Sequence, residues 1–334
     1  MKTPDISVCI PVYETEEYLE QCLRSVISQN FESFEIVIVS DASRGCDSRG
    51  RNAKKIVRAM EKEGRQFRKK AGLSKIEINF IEHHENRGIL EVRRTLCYEA
   101  RGLYIIQCDS DDEMTPGALT ALWEAGQGFD IVHGSSTAGS FDENGSFTPA
   151  AKNLYGKIVY EEISGHDIFS RWLLKSEFTA NVWGKLIKRE LYLKAWESIP
   201  YTECNLGDDL LLFFFIAQYA ASYKGIESQV YRYRLNAGMT SHRKIDTLDK
   251  WEKVCSAASI FTILSEWIKN NPQLISEEET DKVREKALNY LTGNLKQLRE
   301  TVVPELLPQA RKMLGDFWGE SFVEKLEKVT LYKE

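Results

Sequence analysis

The sequence predicts an α/β protein built on a mixed, mostly parallel sheet flanked by helices. Three observations predict it. Short apolar, β-branched runs alternate with amphipathic helical stretches up to residue 133. Acidic and small polar residues fall directly after those runs, where the ligands of open α/β sheets bind. The chain has 334 residues of which 43% are hydrophobic, enough for a sizeable core and for two domains.

Residues 6–12 are the first apolar, strand-like run. Tyr18, Leu19, Cys22, Leu23, Val26 and Ile27 then recur on one helical face. Residues 35–39 form a second buried strand, and 52–71 a charged helix. Ile76, Ile78 and Phe80 alternate as in a strand over 75–82. Helices at 89–100 and 117–125 and strands at 104–108 and 130–133 complete the alternation. Such an order implies right-handed βαβ units. After about Ala138 the rhythm loosens, with a loop at Asp142-Glu143-Asn144-Gly145. Apolar spacing predicts helices over 248–267 and 277–298, with breaks at Asn271-Pro272 and Pro304. The expected division is an α/β domain at 1–240 and a helical region at 241–334, with no internal repeat.

Composition removes several classes. With 21 Gly, 8 Pro and 11% aromatics the chain is neither disordered nor fibrous. The net charge of -6 argues against a dedicated nucleic-acid binder. That mean hides a split: twelve basic residues from Arg44 to Lys75 face only Asp47, Glu61 and Glu63, so this stretch is +9 and the remainder -15. No run approaches the ~20 apolar residues of a membrane span, and no secretory cleavage signal follows residues 6–12. The seven cysteines are scattered without CxxC pairs and read as reduced core residues. The expected location is the cytoplasm, or the inner face of the cell membrane.

The chemistry concentrates after the strands, in Tyr13-Glu14, Asp41-Ala42-Ser43, Asn86-Arg87-Gly88 and Asp109-Ser110-Asp111-Asp112-Glu113. Two charges ~5 Å apart at an effective dielectric near 20 repel by roughly 3 kcal/mol. Four carboxylates in five positions therefore favour a hard cation, Mg²⁺ or Mn²⁺. The same residues also suit an acidic loop capping the next helix, with Asp112 or Thr115 as N-cap and Pro116 at the first helical position. Neither GxGxxG nor GxxxxGK[ST] is present, nor GxSxG or HExxH.

Five motifs in order resemble the inverting, nucleotide-sugar-dependent glycosyltransferases of family 2, which have the GT-A fold. They are Ile6–Tyr13; Tyr18-Leu19 to Gln29; Val39-Ser40-Asp41-Ala42-Ser43; Asn86-Arg87-Gly88 with Arg93; and Gly102-Leu103-Tyr104-Ile105 followed by Asp109-Ser110-Asp111-Asp112. A weaker likeness continues through Asn181-Val182-Trp183-Gly184-Lys185-Leu186 and Gly207-Asp208-Asp209 to about residue 240. The resemblance implies that Pro11, Val12 and Tyr13 line the nucleobase pocket, beside Glu14, and that Asp41 bonds the base or ribose. It places Asn86, Gly88, Arg93, Asp109 and Ser110 at the nucleotide-sugar. Asp111, with Asp109, would bind Mn²⁺ or Mg²⁺ at the diphosphate, with His242 as a third ligand or Arg243 as a phosphate contact. Asp209, beside Asp208, would be the general base. Lys185 would contact the diphosphate or acceptor, or be a structural lysine at a helix start. Glu14 replaces the family's Asn, Ala42 its Gly, Arg94 its Asn and Asp208 its Glu. Ala42 should restrict positive φ in its turn.

The resemblance implies a reaction that moves a sugar from a nucleotide-diphosphate donor, expected to be a UDP-sugar, to a hydroxyl of a glycan or lipid-linked acceptor. A sugar-nucleotide nucleotidyltransferase would need a glycine-rich loop after the first strand, and 11–17 has none. A non-catalytic nucleotide-sugar or glycan-binding module is the other alternative. Peripheral membrane association through the basic stretch and homo-oligomers through the C-terminal helices are further expectations.

Overall fold

The computed structural model describes residues 3–142, 145–152, 155–235, 237 and 244–331. By internal contacts the chain divides into two compact units, Met1–Ser198 with Leu212–Gly238, and Ile199–Leu211 with Met239–Glu334.

In the first unit the order is β1 (Ile6–Val12), α1 (Glu16–Ile27), β2 (Phe34–Ser40), α2 (Ala53–Lys70), β3 (Glu77–Glu82), α3 (Gly88–Glu99) and β4 (Tyr104–Gln107). Then come β5 (Glu113–Met114), α4 (Ala118–Gly126), β6 (Ile131–Phe141), β7 (Phe147–Pro149) and β8 (Glu162–Ser164). α5 (Asp167–Leu173), β9 (Lys185–Lys188) and α6 (Arg189–Ser198) follow. After α7 (Asp208–Tyr219), β10 (Ser222–Arg234) closes the unit.

The strands form one sheet in the order β3-β2-β1-β4-β9-β6-β10-β5, with β7 on β6 and β8 on β10. β3, β2, β1 and β4 are parallel neighbours. β9 runs antiparallel between β4 and β6, and β10 is parallel to β6. The sheet is thus mixed, with its motif-bearing half parallel.

β1 and β2 are buried along their whole length, as continuous apolar runs between two helical layers should be. On one face Leu19, Cys22, Leu23 and Val26 of α1 and Ile56, Val57 and Met60 of α2 pack on Val8, Ile10, Ile36 and Ile38. Each large aliphatic buried there contributes about 2 kcal/mol. β3 is the exposed edge. Gly102 enters β4 against β1, where an added Cβ would lie 2.6 Å from the Ser7 nitrogen.

α2 is locked by Arg68, 1% exposed, the one basic residue on its buried side. Its guanidinium donates to three carbonyls, those of Ser74 (2.6 Å), Gln29 (2.8 Å) and Phe31 (2.8 Å).

The second unit contains α8 (Leu248–Cys255), α9 (Ala257–Asn270), α10 (Glu277–Glu300), α11 (Leu307–Trp318) and α12 (Glu320–Leu331). Its core gathers Trp251, Leu291, Leu295, Leu298, Ala310, Leu314 and Val323. The helix expected over 248–267 is broken at Ser256, whose hydroxyl donates to the Lys253 carbonyl at 2.6 Å and tightens the turn. α10 starts on a Ser276/Glu279 capping box. Among the described residues no helix is long and apolar enough to cross a membrane.

Arg68→Met leaves three carbonyls without their donor. It is expected to lower the unfolding free energy by about 3 kcal/mol with an unchanged m-value, read by urea titration.

Candidate active site

The ends of β1, β2 and β4 form one rim. At the end of β2, Asp41 is 2% exposed. Its carboxylate accepts the backbone N–H groups of Arg87 (3.0 Å) and Gly88 (3.0 Å), and His83 Nδ1 lies 2.7 Å from Oδ1. His83 Nε2 is 3.0 Å from Thr95 Oγ1. A carboxylate suits those N–H groups because they open α3 and carry the positive end of its dipole. Gly88 turns into the helix with φ 81°, and Asn86 is exposed on the same turn. Asp41 therefore ties β2 to α3. Asp41 is expected at the ligand from its motif, whereas its partner His83 lies in no motif.

Pro11 and Val12 are buried in β1, so Tyr13, partly exposed, is the member of that trio at the rim. The turns after β1 and β2 interlock. Glu14 N–H donates to Ser43 Oγ (2.8 Å), Arg44 N–H to Glu14 Oε1 (3.0 Å), and Ser43 Oγ to Glu16 Oε1 (2.6 Å). Glu14 and Ala42 both sit in the left-handed region, at φ 55° and 53°. The expectation that alanine would keep this turn out of positive φ is corrected: the turn is kept and the alanine is strained.

After β4 the acidic cluster separates into two kinds of carboxylate. Asp112 is 1% exposed, with Oδ2 accepting the Tyr231 hydroxyl (2.8 Å) and Oδ1 the Arg234 N–H (2.6 Å). Tyr231 Oη also accepts the Asp109 N–H at 3.0 Å. Glu113 is 3.6 Å from Arg232. Asp109 and Asp111 stay partly exposed. Burial first, and then the Asp109 charge, push the Asp111 carboxyl up to about 6. Burial and the charges of Asp111 and Asp109 push Asp112 well above the usual carboxylate range.

The expected cap is also corrected. α4 starts at Ala118 after Gly117, which is left-handed, with no side-chain cap. Thr115 instead donates its hydroxyl to the Gln229 carbonyl, and Asp112 faces β10. Residues 231–234 alternate aromatic and basic, the only sequence signal for this support. Trp183 stacks behind it, 4.7 Å from the Tyr231 ring and 5.4 Å from Tyr233. Arg234 reaches the Asp111 carbonyl (2.7 Å) and Gln21 (2.7 Å).

Arg93 is buried and donates to Asp109 Oδ1 at 3.1 Å, so it is not an exposed helix residue. Ser110, buried, lies 2.7 Å from Thr15 Oγ1 across the rim. Lys185 is not at a helix start. It lies in β9, fully buried, with Nζ bonded to the Asn181 carbonyl and 5.1 Å from the Phe213 ring centroid. That ammonium is enclosed rather than presented at the rim. Asp208 and Asp209 open α7 after Gly207 and belong to the C-terminal unit. There, burial and then their charges push the Tyr290 phenol up to about 12. His242 and Arg243 lie outside the described residues.

Among the described residues no group of three or more His, Cys, Asp or Glu side chains is arranged to hold a metal. Asp109 and Asp111 nonetheless fit a Mg²⁺ or Mn²⁺ that takes one or two carboxylates and completes its shell with water and phosphate oxygens. Burial first, and then the Asp109 charge, disfavour the ionised Asp111 carboxyl, and a bound cation would offset both. Beneath them, Cys22 and Cys108 bring their sulfurs to 3.7 Å. Six of the seven cysteines are buried and Cys46 is exposed.

Because glycine accepts the left-handed region without strain, Ala42→Gly is expected to stabilise the fold by about 0.5–1 kcal/mol. Urea or thermal unfolding checks it.

A sequence model of the family described as Glycosyl transferase family 2 matches residues 7–196. Glycosyltransferase GlyA of Streptococcus pneumoniae is 27% identical over 239 residues, 71% of this chain and 31% of GlyA. EpsH of Bacillus subtilis, also named as a glycosyltransferase, is 26% identical over 238 residues, 71% of this chain and 62% of EpsH. The chain thus spans less than two thirds of either relative. Among solved structures, S. aureus TarS 1-349 in complex with UDP superposes with a TM-score of 0.52 at 19% identity, over 98% of this chain and 92% of that one. This likeness shows a shared fold. The family match covers more than half of the sequence and includes the β1, Asp41, Arg93 and Asp109–Asp112 motifs, and the chain belongs to glycosyl transferase family 2.

Proposed function

We propose that the protein is an inverting glycosyltransferase that moves a sugar from a UDP-sugar to a hydroxyl of a glycan or lipid-linked acceptor. The observation that carries this reading is the pair Asp109 and Asp111, left partly exposed while Asp112 and Glu113 are engaged by β10. UDP in the TarS complex supports the choice of nucleotide. In this reading residues 1–240 are the catalytic region and Tyr13 and Glu14 border the base.

Inversion is an in-line displacement. The acceptor oxygen forms a bond to the anomeric carbon as the bond to the diphosphate oxygen breaks. Asp209 takes the proton of the acceptor hydroxyl, which requires hydrogen-bond reach in the ternary complex. Asp109 and Asp111 would hold Mg²⁺ or Mn²⁺, which supplies positive charge to the departing diphosphate. Arg93, ion-paired with Asp109, fixes the orientation of that carboxylate.

A screen of nucleotide sugars by product mass spectrometry tests the reading, with UDP-sugars expected to be turned over. Asp111→Ala is expected to weaken Mn²⁺-dependent UDP binding by about 10–100-fold in calorimetric titration. Affinity unchanged by this substitution and by EDTA would remove the cation from the scheme. Asp209→Asn is expected to keep donor affinity and lose about 10²–10⁴-fold in kcat. Wild-type turnover would assign the base elsewhere.

A further inference from the structure

The basic stretch after Arg44 resolves into cations with partners and cations without. Arg51 pairs with Glu20 and Asp47, Lys54 with Glu82, Arg65 with Glu61, and Arg68 bonds carbonyls. Lys55, Arg58, Lys62 and Lys69 are exposed, and their side chains make no ion pair among the described residues. Their spacing of three, four and seven residues puts them on one face of α2, opposite Ile56, Val57, Met60 and Gly64. Along the axis they extend about 21 Å.

We propose that this face of α2 docks the protein on an anionic lipid surface. Three features select a membrane. The four cations form a ridge on the outside of a helix, and none of them lines the polar grooves of about 710 and 330 Å³ in the same unit. A convex, linear charge fits a plane of headgroups, whereas a threaded polymer needs a groove. Arg68 fixes the rotation of α2, so the four charges are presented together. The stretch from Arg44 to Lys75 is +9 and the remainder of the chain -15, so attraction to an anionic surface is concentrated on the side of this stretch and orients the molecule. This inference is independent of the donor and the reaction.

The test is flotation of the full chain with phosphatidylcholine vesicles, with and without phosphatidylglycerol. The expected result is binding only to the anionic vesicles at low salt, with release as ionic strength rises. The variant Lys55→Gln/Arg58→Gln/Lys62→Gln/Lys69→Gln is expected to lose on the order of 10²–10³-fold in partitioning, at about fivefold per cation. These side chains are exposed, and an unchanged thermal melt verifies that the variant is folded. Replacing Lys175, Lys269, Lys296 and Lys325 by Gln removes equal charge elsewhere and is expected to change partitioning less than about threefold. Equal loss in both variants, wild-type binding by the α2 variant, or equal binding to neutral vesicles would overturn the proposal. So would retention of the wild type on immobilised polyphosphate with no binding to anionic vesicles, which would make the partner a soluble polyanion.

Discussion

Four acidic side chains at one strand end repel one another, and the turn after β4 holds only because β10 takes up two of them. Tyr231 and the Arg234 backbone satisfy Asp112, and Arg232 stands near Glu113. An unpaired buried carboxylate would cost several kcal/mol, so this contact decides whether the turn can form. The same tyrosine accepts the Asp109 N–H, so the structural carboxylate and the exposed pair are set by one hydroxyl. Trp183 stacks against that ring and extends the dependence to the loop before β9. What is offered to a ligand is thus a remainder: Asp109, oriented by Arg93, and Asp111, raised by burial first and then by its neighbour.

The parallel half of the fold was legible because its signals are local. Residues 6–12 and 35–39 are buried on both faces and read as continuous apolar runs, while α1 shows its one-sided spacing. β9 and β10 were harder. Each gains its place from partners far away in sequence, β9 between β4 and β6 and β10 beside β6. Lys185 shows the cost of reading such a residue locally. A lysine after Gly184 suggests a helix start or an anion contact, yet the carbonyl of Asn181 and the ring of Phe213 enclose its ammonium.

The candidate site was legible to the level of motifs, not of roles. Asp109 and Asp112 are the same residue type three positions apart. Only the location of β10 separates an exposed carboxylate from a buried one. Asp41 is similar: its type and place suggest a ligand contact, while His83 and the start of α3 take its oxygens. Ala42 shows the converse, since the turn chemistry of the rim imposes positive φ on a residue that resists it. Local preference yields where interlocked turns define the backbone.

The cysteine pattern has a practical consequence. A thiol reacts as its thiolate; burial pushes Cys9, Cys97, Cys204 and Cys255 above their usual range, and the hydrogen bond with Cys22, then burial, does the same to Cys108. Cys46 alone is exposed, in the connection between Asp41 and α2. The folded chain therefore carries one natural attachment point for a dye beside its rim. Its six hidden sulfurs react only as the structure opens, so the stoichiometry of labelling counts the molecules that have unfolded.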